Sequence, residues 1–175
     1  MANIIKKTII FILAIITFIG CEKNNMTETA VRYSIEDIQK SPDFNWYQWE
    51  YDIYNFNSSV INNIAGRFDK NELKVIIFTS PSCFCGSLYT KFPQIIKVLD
   101  NANITENNYE IYVTIDTGEQ LQFEHPYSNL FAVNTLPSIY LLKFGSLEYD
   151  LLSQATTKKI SIEEALLDGL IFFGY

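Results

Sequence analysis

The chain has 175 residues, 48% of them apolar and 15% aromatic, which is enough for one packed domain. Its formal charge is −7, from 13 Lys and Arg against 20 Asp and Glu. A surface that tracks phosphates needs clustered Lys and Arg, and no such cluster is present, so nucleic acid is excluded as a partner.

In chain order, Met1 to Lys7 closes on two lysines, and Thr8 to Ile19 is apolar apart from Thr8 and Thr17. That run has the length of a signal-peptide core and falls short of the roughly 20 apolar residues a spanning helix needs. It ends Phe18-Ile19-Gly20-Cys21. A small residue directly before a cysteine at this point resembles the lipobox of bacterial lipoproteins. The match is at Gly20 and Cys21 and is looser upstream, where that family prefers Leu and a small residue. The resemblance implies a cleaved signal peptide over 1–20 and lipid on Cys21. It also implies a place in the bacterial cell envelope outside the cytoplasm, facing the periplasm or at the cell surface. A short membrane anchor and a plain secretory signal with a chance cysteine are the alternatives. Cleavage before Cys21 leaves 155 residues and, with Lys6 and Lys7 gone, a charge of −9. Cys83 and Cys85 then remain, in oxidising surroundings.

Residues 21–32 are polar and predict a lipidated, flexible tether. Residues 33–72 predict a helical, aromatic-rich extension. Val60, Ile61, Ile64 and Phe68 recur at helical spacing and predict a buried face. Phe44, Trp46, Tyr47, Trp49, Tyr51, Tyr54 and Phe56 carry more aromatic surface than a chain leaves in water, at roughly 1.5–3 kcal/mol per buried ring. The extension is therefore expected to pack against the domain that follows. Packing is the preferred role of both tryptophans, ahead of a ligand platform.

From Leu73 the pattern is alternating α/β. Lys74 to Thr79 is a short continuous apolar run, as in a strand buried on both faces. Thr79-Ser80-Pro81-Ser82 ends it with turn residues. Leu88, Phe92, Ile95, Ile96 and Leu99 mark one face of a helix from about Gly86 to Asp100, which Pro93 should kink. Tyr109 to Ile115 reads as a second strand. A variable stretch over 117–134 follows, with a possible helix near Ser128 to Val133. Pro137 to Lys143 and Leu147 to Leu152 form a hairpin about Gly145-Ser146. Ile162 to Phe172 is a closing helix with Ser161 at its N-cap and Glu164 at N3. The order β-α-β-α-β-β-α, with a right-handed crossover between the first two strands, predicts a mixed sheet with helices on both faces.

Cys83-Phe84-Cys85-Gly86 falls between the first strand and its helix, with Pro93 eight residues beyond Cys85. Thr135-Leu136-Pro137-Ser138 opens the third strand. Over about residues 73–173 this pattern resembles the thioredoxin-like family, which carries Trp-Cys-Gly-x-Cys, a helix proline eight residues on, and a cis-proline at the start of the third strand. The resemblance implies that Leu136-Pro137 is cis and contacts the substrate. It departs from the family in three ways. Leu88 stands where the second cysteine belongs, so the pair is Cys-x-Cys with Cys83 upstream. Phe84 replaces the tryptophan. Ile77 or Thr79 stands where the family has a buried strand acid. A second register is open, because Phe78 lies five residues before Cys83, the family's spacing to its first cysteine.

Either register gives workable chemistry. A thiol at a helix N-terminus has its thiolate stabilised by unpaired N–H groups and the helix dipole. A cysteine two residues away can resolve a mixed disulfide. A Cys-x-Cys ring needs a bent backbone, so its disulfide should be readily reduced. The expected function is extracytoplasmic thiol–disulfide exchange on protein thiols or disulfides, by reduction or isomerisation. Cys85 is the expected nucleophile and Cys83 its partner, with the reverse assignment open. The expectation includes no cofactor, no resident metal and a monomeric chain. A structural disulfide on a redox-inert binding or assembly module is the competing reading. Copper(I) or zinc on the two thiols is a third, and zinc wants four ligands. His125, the one histidine, is expected to be an exposed loop residue, though the variable stretch could bring it near the cysteines.

Overall fold

A central strand buried on both faces organises the molecule. The computed structural model describes residues 28–81, 89–114 and 123–175. Among them are the strands β1 (Glu28–Thr29), β2 (Val31–Tyr33), β3 (Leu73–Thr79), β4 (Tyr109–Val113), β5 (Phe123–Glu124), β6 (Ser138–Lys143) and β7 (Leu147–Asp150). The helices are α1 (Ile35–Lys40), α2 (Tyr47–Ile53), α3 (Ser58–Arg67), α4 (Lys91–Asn101), α5 (Leu151–Lys158) and α6 (Ile162–Phe172), with a 3-10 turn at Pro42–Phe44. Five strands make one mixed sheet in the order β2-β4-β3-β6-β7, and β1 pairs with β5 separately. β3 and β4 are parallel, and β3–β6, β6–β7 and β2–β4 are antiparallel.

Side chains alternate across β3, β4 and β6, as the pleat requires. Val75, Ile77, Tyr109, Ile111, Val113, Ile139 and Leu141 face one core with Ile38, Ile64, Ile95, Leu99 and Leu166 from the helices. Ile76, Phe78, Tyr112, Tyr140 and Leu142 face a second core, closed by Ala30, Phe131, Val133 and Leu136. This second face overturns one expectation. Among the described residues it is covered by irregular chain and not by a helix. Residues 126–130 form successive turns, closed by Ser128 N–H to His125 O and Leu130 N–H to Tyr127 O. The Ser128 hydroxyl accepts from His125 N–H and donates to His125 O, a local exchange that competes with helix formation.

Three further boundaries differ from expectation. The tether does not run to residue 32, since Glu28–Thr29 pairs with β5 and Val31–Tyr33 forms the edge of the main sheet. The described part of α4 starts at Lys91, so Pro93 lies in its first turn, where no intrahelical N–H is lost and no kink is required. β7 stops at Asp150, whose carboxylate caps a new helix by accepting from Ser153 N–H at 2.8 Å. Leu151 and Leu152 therefore belong to α5. The closing helix is as expected, with Ser161 and Glu164 forming a reciprocal capping box.

The extension packs as part of the fold. Phe44 and Tyr47 are buried against Phe92, with ring centroids 6.2 and 5.4 Å away. Ile61, Ile64 and Phe68 are buried, as the helical spacing predicts. Tyr51 donates to the Asp100 carboxylate at 2.8 Å, Lys97 Nζ donates to Asp52 O at 2.9 Å, and Tyr54 donates to the buried Glu163 carboxylate.

Candidate functional site

The candidate site lies at the end of the sheet where β3 and β4 finish and β6 begins. β3 pairs with β6 so that Phe78 stands opposite Ser138. Leu136 and Pro137 directly precede Ser138 at this end of β6, and Thr79 and Ser80 directly follow Phe78 in β3. The Leu136–Pro137 peptide is cis, the isomer the resemblance implies. Leu136, Thr79, Ser80 and Ser138 are all buried. Pro81 lies in a turn after β3, two residues before Cys83 in sequence. Cys83 and Cys85 lie outside the described residues, as does Cys21.

Buried hydroxyls gather here. Ser138 Oγ donates to Thr135 O at 2.6 Å. Thr114, directly after β4, donates its N–H to Thr79 O at 3.1 Å, while its buried Oγ1 has no hydrogen-bond partner among the described residues. A groove of about 270 Å³ opens beside the cis peptide, lined by Thr135, Ser138, Asp150, Leu152, Ser153, Thr156 and Thr157. Burial raises the Asp150 carboxyl above its usual value, against the pull of the Ser153 and Leu152 N–H groups.

His125 is buried, contrary to the expectation of an exposed loop residue. Its ring lies 4.7 Å from that of Phe78 and within 6 Å of Phe123 and Phe131. Nδ1 accepts from Tyr127 N–H at 3.3 Å. Burial lowers its pKa, which favours neutral imidazole.

Two carboxylates escaped the sequence reading. Glu110 is buried on the second face and accepts from Tyr127 at 2.7 Å, Tyr112 at 2.8 Å and Lys74 at 2.9 Å, with Arg32 3.7 Å away. Burial alone would raise its carboxyl, but the hydrogen bonds from Lys74, Tyr127 and Tyr112 and the Lys74 charge outweigh that and hold it below the usual range. Glu50, in α2, is also buried and accepts from Tyr89 at 3.2 Å. Tyr89 is the first described residue after the cysteine segment, and Trp46 packs edge-on against it at 5.2 Å. Trp46 thus has the packing role expected of it. Trp49 is 63% exposed and does not. An acid preceding an apolar pair signals a cap at Asp150, but no local pattern marks Glu50 or Glu110.

Among the described residues no three His, Cys, Asp or Glu side chains converge as a metal site. Nor is any described helix long and apolar enough to cross a membrane. No protein-family model matches the chain, and no curated protein or solved structure is significantly similar to it. The fold is mixed α/β about a five-stranded mixed sheet.

Proposed function

We propose that the chain is an extracytoplasmic, membrane-anchored thiol–disulfide oxidoreductase with a thioredoxin-like architecture, working on protein disulfides as a reductase or isomerase. The observation that carries this reading is the register of β3 against β6. It pairs Phe78 with Ser138, so the cis Leu136–Pro137 peptide precedes β6 at the end where β3 leads in sequence to Pro81-Ser82-Cys83-Phe84-Cys85. Support also comes from the parallel β3–β4 pair joined through α4 and the antiparallel β6–β7 hairpin beside it.

In this reading the Cys85 thiolate attacks one sulfur of a substrate disulfide. A mixed disulfide forms, and the other substrate sulfur leaves as thiolate. The Cys83 thiolate then attacks Cys85 Sγ and expels the second substrate thiolate. A Cys83–Cys85 disulfide closes, and two electrons have passed to the substrate. An external dithiol returns the pair to its reduced form. In isomerisation a substrate thiolate resolves the mixed disulfide, with no net electron transfer. The reverse assignment has Cys83 attack first. Pro137 and Leu136 contact the substrate strand, and no cofactor takes part. Lipid on Cys21 holds the protein in the cell envelope.

Alkylation trapping of the purified soluble domain, poised in buffers of graded thiol–disulfide potential, tests the reading. The expected result is a Cys83–Cys85 pair that cycles between dithiol and disulfide within the physiological range. A pair that stays in one state throughout would remove the enzymatic reading. A redox-inert binding or assembly lipoprotein is the second reading. It is favoured by the buried Ile77 and Thr79 at the positions where the resemblance expects an acid. Full biological activity in a Cys83→Ser/Cys85→Ser double variant would decide for it.

A further inference from the structure

One row of residues crosses the sheet at its candidate-site end. Val31 pairs with Val113 and Val113 with Thr79, while Phe78, one residue before Thr79, pairs with Ser138, the residue after Pro137. β2 is antiparallel to β4, so the chain N-terminal to Val31 leaves the sheet in the direction in which β3 and β4 end. It is held there. Ala30 is buried and donates its N–H to Glu124 O at 2.9 Å, and Glu28 and Thr29 pair with Phe123 and Glu124. The polypeptide therefore enters the fold at the same end that carries the cis peptide. Two interstrand spacings of about 4.8 Å put Val31 only about 10 Å from Thr79, at the end of β3.

Cys21 and Glu28 are seven residues apart in sequence. Seven residues in any conformation span at most about 25 Å. A domain of this size has a radius of gyration of roughly 15 Å, hence a diameter of roughly 40 Å. A link shorter than the domain cannot pass around it to leave the entry end facing away from the anchor.

From this geometry we propose that the end of the sheet bearing Thr79, Thr114 and Pro137 faces the phospholipid surface. The hairpin turn at residues 144–146 points away from it. The inference rests on the reading of Cys21 as the lipidated residue. It deepens the proposed function by naming the partner of this end of the molecule: the bilayer surface, with the thiols and disulfides of proteins held in it.

The test uses the full lipidated chain in phosphatidylcholine vesicles that carry an energy acceptor on the lipid headgroup. A fluorescent amino acid replaces either Asn134 or Ser146, both exposed and at opposite ends of β6. Transfer to the lipid is expected to be strong from position 134 and several-fold weaker from position 146. Equal transfer, or stronger transfer from 146, overturns the orientation. Mass spectrometry of the same sample separates the two claims. A chain without lipid on Cys21 overturns the lipoprotein reading and the orientation with it. A lipidated chain with equal transfer overturns the orientation alone.

Discussion

Phe78 stands opposite Ser138 in the β3–β6 pair, with His125 packed 4.7 Å from the Phe78 ring. This pairing joins the candidate site to the second core. The register places Pro137 one step beyond Ser138, while Phe78 presents to the aromatic cluster the surface that buries the imidazole.

The first prediction concerns pH. Burial lowers the pKa of His125 from its usual 6.5, so the unfolded chain takes up the proton first as pH falls. Above pH 6.5 both states are neutral at this position and no penalty applies. Below it, stability falls until the folded-state pKa is passed. In urea unfolding from pH 8 to 5, wild type should lose more stability below pH 6.5 than His125→Phe. Parallel pH profiles for the two proteins would show that the imidazole is not held neutral by the fold.

Glu110 joins β3, β4, the edge strand and the segment at Tyr127. Glu110→Ala leaves the Tyr112 and Tyr127 hydroxyls and the Lys74 ammonium without their acceptor, at an expected cost of about 2–3 kcal/mol. Tyr127→Phe removes one donor and should cost about 1 kcal/mol. The two effects should be non-additive in a double-mutant cycle by denaturant unfolding. Because the Glu110 pKa is depressed below its usual 4.5, its stabilisation is present above that pH and is lost as pH falls through the folded value. Additive single-variant effects would count against a shared network.

The hydroxyls at the sheet end make opposite predictions. Thr114 Oγ1 is buried without a partner among the described residues, so Thr114→Val should be neutral or stabilising by up to about 1 kcal/mol. Ser138 Oγ donates to Thr135 O, so Ser138→Ala should cost about 1 kcal/mol. Thermal unfolding midpoints measure both. A destabilised Thr114→Val would mean that its hydroxyl is satisfied in solution.

The extension should behave as core. Phe44→Ala is expected to cost about 3–5 kcal/mol, whereas Trp49→Ala, at an exposed position, should stay within about 0.5 kcal/mol. Limited proteolysis checks the same point. Cutting within 44–56 should be no faster than global unfolding in wild type and should accelerate in Phe44→Ala. Rapid cutting in wild type that leaves 73–173 intact would show a detachable segment.

The sequence by itself determined the elements that carry their own local signals. The apolar run from Lys74 to Thr79, the spacing of Ile61, Ile64 and Phe68, and the Ser161–Glu164 box around Ile162–Phe172 each report a pattern or a cap within a few residues. The cis isomer at Leu136–Pro137 is the one implied by the resemblance of Thr135-Leu136-Pro137-Ser138, not by any local period or cap. Only the tertiary structure decided that Val31–Tyr33 closes the sheet, that irregular chain covers the second face, and that Asp150 ends β7 by capping α5. It likewise decided the burial of His125 and gave Glu110 its donors. The physical reason is range. Helical period and capping act over three or four residues, whereas Lys74 and Glu110 are 36 residues apart and Tyr54 and Glu163 are 109 apart. A carboxylate reads as a surface charge until the fold brings its donors to it.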